Sequence, residues 1–164
     1  MPNTFKYARI FSLILAFILL YIIEDCIFPR ILGTVPSLLI PFVISAGILE
    51  GPFVGAGFGI AAGLLIDHGT GHFGFASMLL LILGVASALL VSYFRVSVIT
   101  AIVFTAVGGL FYFTLRWFFL YFLWYGSGEY VPALMGAFFA SVLQFPVYYL
   151  IKAISKKFGS LKTR

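Results

Sequence analysis

Apolar residues in this chain fall into six long blocks, roughly over residues 7–23, 31–49, 51–66, 73–94, 96–115 and 130–151, and the charged residues collect in the breaks between them. A helix that crosses a bilayer needs about 20 mainly apolar residues, with a range of about 17 to 25. The pattern therefore predicts six transmembrane helices. The runs are continuous and do not alternate, which argues against the ten-residue, period-two strands of an outer-membrane barrel. Prolines mark local detail. Pro36 and Pro41 predict a late start or a kink in the second span, and Glu50-Gly51-Pro52 predicts a helix start for the third. Pro132 lies near the start of the sixth, and Pro146 predicts a bend inside it.

Stretch 116–129 is ambiguous, because Arg116 and Trp117 lead a run dense in aromatic residues that is too short to span. It either extends the fifth span beyond the headgroups or lies flat as an interfacial helix. An extension of the fifth span is expected.

Composition agrees with a membrane solvent. Of 164 residues 63% are apolar and 9% charged, against roughly 25% charged in a soluble domain. Too few charges remain to cover a water-exposed globule, and the length allows one integral membrane domain over residues 1–164 with no soluble appendage. Ten Lys and Arg against five Asp and Glu give a net charge of +5. These bases sit at span ends and form no patch, so no nucleic-acid partner is expected. With a cytoplasmic N-terminus and six alternating spans, Lys6, Arg9, Arg95, Lys152, Lys156, Lys157, Lys162 and Arg164 lie inside and only Arg30 and Arg116 outside. The positive-inside rule then places both termini in the cytoplasm, with the basic tail near anionic lipid. Glu24, Asp25, Asp67 and Glu129 fall on the other side; Glu50, the inside acid, is expected at the N-terminal end of the third span, where the helix dipole favours it. Cys26 is alone, which excludes an intramolecular disulfide. The block after Lys6 and Arg9 imitates a signal peptide but lacks an A-x-A-like site, and reads as an uncleaved first span.

The third block carries the most informative pattern. Gly51, Gly55, Gly59 and Gly63 recur every fourth residue, and Asp67 is the next member of the series. Each step of four advances about 40° around a helix, so the glycines share a slowly winding face. In lipid, such small-residue faces let helix backbones approach closely. The stripe serves either packing inside the bundle or docking of a partner's helix. Asp67 follows about 24 Å along the helix from Gly51, near the interface, where it either caps or braces the turn at Gly69-Thr70-Gly71 or serves partner contact or proton chemistry.

Other chemistry is sparse. His68 and His72 have the spacing of two zinc ligands, but the intervening glycines disfavour a helix and no HExxH pattern is present, so no metal is expected. Arg116 and Trp117 are candidates for a partner or lipid interface, with snorkelling of Arg116 as the simpler role. No Walker loop, no GxSxG and no paired intramembrane aspartates occur, so neither enzymatic activity nor a cofactor is expected.

The run from Pro36 to Gly74, with its proline-led second span, Gly57-Phe58-Gly59, Gly63-Leu64, Asp67, Gly71 and Gly74, resembles the MreD family of bacterial rod-shape-determining membrane proteins. That family's pattern reads G-F-x-x-G-L-x-x-D with glycines shortly after; here the gap between Phe58 and Gly63 is longer. The resemblance is specific over about forty residues and generic elsewhere. It implies a multi-pass protein of the bacterial cytoplasmic membrane that binds MreC and helps couple MreB filaments to peptidoglycan synthesis by RodA and a class B penicillin-binding transpeptidase. It also implies an all-α fold similar to the six-helix S components of energy-coupling-factor vitamin transporters. A vitamin-binding S component is accordingly the alternative. The shortage of polar residues in the outer halves of the spans argues against it, since a vitamin pocket needs convergent polar groups.

Overall fold

A computed structural model describes residues 2–27, 37–70, 74–94, 96–119 and 130–157 of the chain. Six helices account for nearly all of them: α1 Pro2–Ile27, α2 Leu39–Glu50, α3 Pro52–Thr70, α4 Phe75–Leu90, α5 Val98–Trp117 and α6 Val131–Lys157. A single 3-10 turn, Val91–Tyr93, follows α4, and there is no strand among the described residues. Among the described residues four helical segments are long and apolar enough to cross a membrane: Tyr7–Cys26, Phe75–Tyr93, Val98–Trp117 and Val131–Lys157. The chain is therefore an all-α, multi-pass membrane protein. Leu39–Glu50 and Pro52–His68 are apolar but shorter.

Local sequence explains the helix boundaries. Pro41 stands in the first turn of α2, where its missing N–H is not needed. Residues 31–36 of the expected second span lie outside the described residues. At the other end of α2 the chain reverses on one residue, Gly51, whose φ of +104° is costly for residues with a Cβ. Pro52 then opens α3. Ser97 caps α5 by accepting the Thr100 N–H at 3.2 Å. Helix α6 continues through Pro146, where a bend was expected, to Lys157. At the far end of α5 the helix runs to Trp117 and closes on a π-type turn at Phe118 and Phe119; residues 120–129 of the ambiguous stretch lie outside the described residues.

Helix α2 is the axis of the bundle. Every residue from Leu39 to Leu49 is buried, and α3, α4, α5 and α6 all pack on it. A helix that is apolar all round belongs in such a place. At 12 residues it measures about 18 Å, well short of the roughly 30 Å hydrocarbon core. Its surroundings make this tolerable, because backbone at membrane depth needs only to be enclosed by protein. Phe17 of α1, Phe42 of α2 and Phe58 of α3 join in an aromatic cluster with ring centroids 5.0 to 5.4 Å apart. The outer faces of the helices are apolar too: Phe11, Met78, Val107 and Phe138 are each more than 60% exposed. Apolar inside and apolar outside is the distribution that lipid as solvent selects.

Candidate functional site

The glycine stripe is occupied from within the chain. A Cβ on Gly63 would stand 2.1 Å from Ser77 Cα, and one on Gly59 would stand 2.5 Å from the Leu80 carbonyl oxygen. A Cβ on Gly55 would meet Gly47 Cα and the Gly84 carbonyl oxygen, both at 2.7 Å. Gly84 answers from α4: its own Cβ would lie 2.3 Å from the Gly55 carbonyl oxygen. Three of the four stripe glycines therefore seat α3 against α4 and the end of α2, at backbone-to-backbone distance. Gly51 departs from the expectation, since a Cβ there would meet nothing within 4 Å; its role is the positive-φ reversal. Gly57, on the face of α3 opposite the stripe, also meets open space.

Asp67 completes the hairpin. Its side chain is buried, and it accepts from the backbone N–H groups of Gly74 at 3.0 Å, Ala76 at 3.0 Å and Ser77 at 3.2 Å, and from the Ser77 hydroxyl at 3.1 Å. These N–H groups open α4 and have no partner inside the helix, so a carboxylate satisfies them and meets the positive end of the dipole. Of the roles open to Asp67, the geometry is that of a brace from the end of α3 to the start of α4. His68 is exposed, while His72 lies outside the described residues. Among the described residues no three His, Cys, Asp or Glu side chains gather as a metal site would require.

Glu24 repeats the device between α1 and α2. Its Oε2 accepts the Leu38 N–H at 2.8 Å and the Leu39 N–H at 3.2 Å. Both acids thus cap the helix that follows their own, at the same end of the bundle. Arg116 is at this end as well. It does not simply point out to the interface: its Nη1 donates to Tyr112 Oη at 3.1 Å, and Tyr112 is buried, within electrostatic reach of Asp67 and Glu24. Trp117 stacks edge-on against Tyr130, ring centroids 5.2 Å apart, and Tyr130 Oη hydrogen bonds with Thr114 Oγ1 at 2.8 Å.

Two polar clusters were not anticipated. At the opposite end, Glu50 is the last residue of α2; its Oε2 lies 3.1 Å from Arg9 Nε, and the Ser155 hydroxyl donates to its Oε1. Helices α1, α2 and α6 meet there. In mid-bundle, the Gln144 amide donates to Ser45 Oγ at 2.6 Å, and its carbonyl accepts the Thr105 hydroxyl at 2.8 Å, tying α6 to α2 and α5. All three residues are fully buried. Gln144 is the single glutamine in the chain and stands inside an apolar block, a signal that was legible in principle.

No family model matches this chain, and searches of curated proteins and of solved structures likewise found no match.

Proposed function

We propose that this protein is a non-enzymatic scaffold of the bacterial cell-elongation machinery, of the kind that MreD proteins provide. In this reading all six helices cross the cytoplasmic membrane, with the fully buried α2 enclosed by the rest. The ends that meet at Glu50, those of α1 and α6, face the cytoplasm. The partner is an MreC-like membrane protein, and through it the chain helps couple MreB filaments to peptidoglycan synthesis by RodA and a class B penicillin-binding transpeptidase.

One observation carries the reading. Gly57, Phe58, Gly63, Leu64, Asp67 and Gly74, which carry the resemblance, belong to one α3–α4 hairpin, and within it Gly63 makes the closest helix contact and Asp67 the cap. A motif of this kind specifies a rigid membrane element, which is what a scaffold presents. The vitamin carrier fares less well, because Asp67 and Glu24 are both engaged in helix caps and so are poorly placed to strip water from a ligand.

The test is depletion in a rod-shaped host together with recovery of the tagged protein from native membranes. Rounded or widened cells and co-recovery of an MreC-like protein are expected. Unchanged cell shape, with a rise in melting temperature on adding thiamin, riboflavin or biotin, would overturn the scaffold in favour of the carrier. A nanomolar ligand at micromolar concentration stabilises by about 4 kcal/mol, which such a measurement resolves.

A further inference from the structure

We propose that Arg116 holds the phosphate of an anionic membrane lipid, at the end of the bundle opposite Arg9 and Ser155. Arg116 is in the last turn of α5, and the buried Tyr112 phenol one turn earlier takes a single N–H from it. A guanidinium has five N–H donors in a planar fork. Among the described residues it makes that one hydrogen bond and no ion pair with a carboxylate. The acids near Tyr112 make no ion pair with Arg116: Asp67 accepts from the first turn of α4 and Glu24 from that of α2.

A half-buried cation with donors to spare, its head already oriented, suits a tetrahedral oxyanion that accepts two parallel N–H bonds. The surroundings select a lipid as the carrier of that anion. The Trp117–Tyr130 pair and the exposed Thr114–Tyr130 hydrogen bond are amphipathic groups of the type found at headgroup depth. Deeper along the same two helices, the outer faces carry exposed apolar Val107, Leu110 and Phe111 of α5 and Leu134 and Phe138 of α6, so acyl chains run beside both helices, around α5 from the Arg116 face. The proposal stands independently of the cell-elongation reading, because it concerns the isolated protein.

Native mass spectrometry of the purified, delipidated full-length chain tests it by titration with phosphatidylglycerol. Wild type is expected to retain one lipid, and Arg116→Gln to bind it roughly tenfold or more weakly, the loss of charge-assisted hydrogen bonds. Arg116→Lys, which keeps the charge and gives up the planar fork, is expected to lose severalfold, and it carries the comparison if Arg116→Gln yields too little folded protein. Equal phosphatidylglycerol affinity in wild type and variant overturns the proposal. So does stabilisation of the lipid-free protein by inorganic phosphate alone with no preference for the lipid, which would make the site a receptor for free anions.

Discussion

Ser77 gives both its backbone N–H and its hydroxyl to one carboxylate oxygen of Asp67, at 3.2 and 3.1 Å. The same serine is the residue whose Cα would collide with any side chain placed on Gly63. Cap and close contact thus converge on the first turn of α4, four residues apart on α3. The α3–α4 hairpin is held by geometry that leaves little room for substitution, and this yields the first two predictions.

Removing the cap should destabilise the protein itself. Asp67→Ala strands buried N–H groups at the start of α4, and a loss of about 1.5 to 3 kcal/mol is expected from hydrogen bonds to a charged group. Asp67→Asn keeps the shape but turns an NH2 toward donors, so an intermediate loss is expected. Unfolding in detergent by denaturant or heat measures both. A stable Asp67→Ala protein would remove the bracing role and return Asp67 to the partner contacts.

Two glycines of the same helix should respond differently. Gly63→Ala puts a methyl 2.1 Å from backbone, so α3 and α4 must part, at a cost of about 1 to 3 kcal/mol or more. Gly57→Ala enters open space and should be neutral or stabilise by up to about 1 kcal/mol through helix propensity. Thermal stability of the two single variants decides. Equal effects would show that the close contact is not formed in solution.

The ion pair at the other end predicts a non-additive pair of losses. Glu50 is fully buried at its side chain, so Arg9→Ala leaves a carboxylate with only Ser155, and Glu50→Ala leaves the partly buried guanidinium unmatched. Each single variant should be less stable by about 1 to 3 kcal/mol, and the double variant should lose less than the sum. Additive losses in a double-mutant cycle would mean that the two charges do not interact.

Gln144→Leu should cost little despite the burial of the amide. The Ala101 carbonyl lies 2.9 Å from Thr105 Oγ1 and takes its single proton once the amide is gone, and interhelical hydrogen bonds in membranes average about 0.6 kcal/mol with a maximum of about 1.7. Gln144→Ala adds a cavity at the meeting of α2, α5 and α6, and should cost clearly more. The difference between the two, read from unfolding midpoints, separates the hydrogen bonds from the packing.

Much of this architecture is written along the chain, because in a membrane the length and apolarity of a run decide whether a helix forms. Four runs became helices long enough to cross, and the others became α2 and α3, whose boundaries follow Pro41, Gly51 and Pro52. The four-residue glycine period likewise announced a face without side chains. What it could not state was the neighbour: a smooth face fits a partner's helix as well as its own, and Gly84 and Ser77 take the place only because α4 packs back along α3. The depth of α2 was equally hidden, since an apolar run meets lipid and protein with nearly the same free energy. Polar side chains are where tertiary structure decided most. Asp67, Glu50 and Gln144 are costly groups in an apolar medium, and each must find donors or acceptors within a few ångströms. Their partners, Ser77, Arg9 with Ser155, and Ser45 with Thr105, lie 10 to 105 residues away in sequence, and only the folded bundle brings them together.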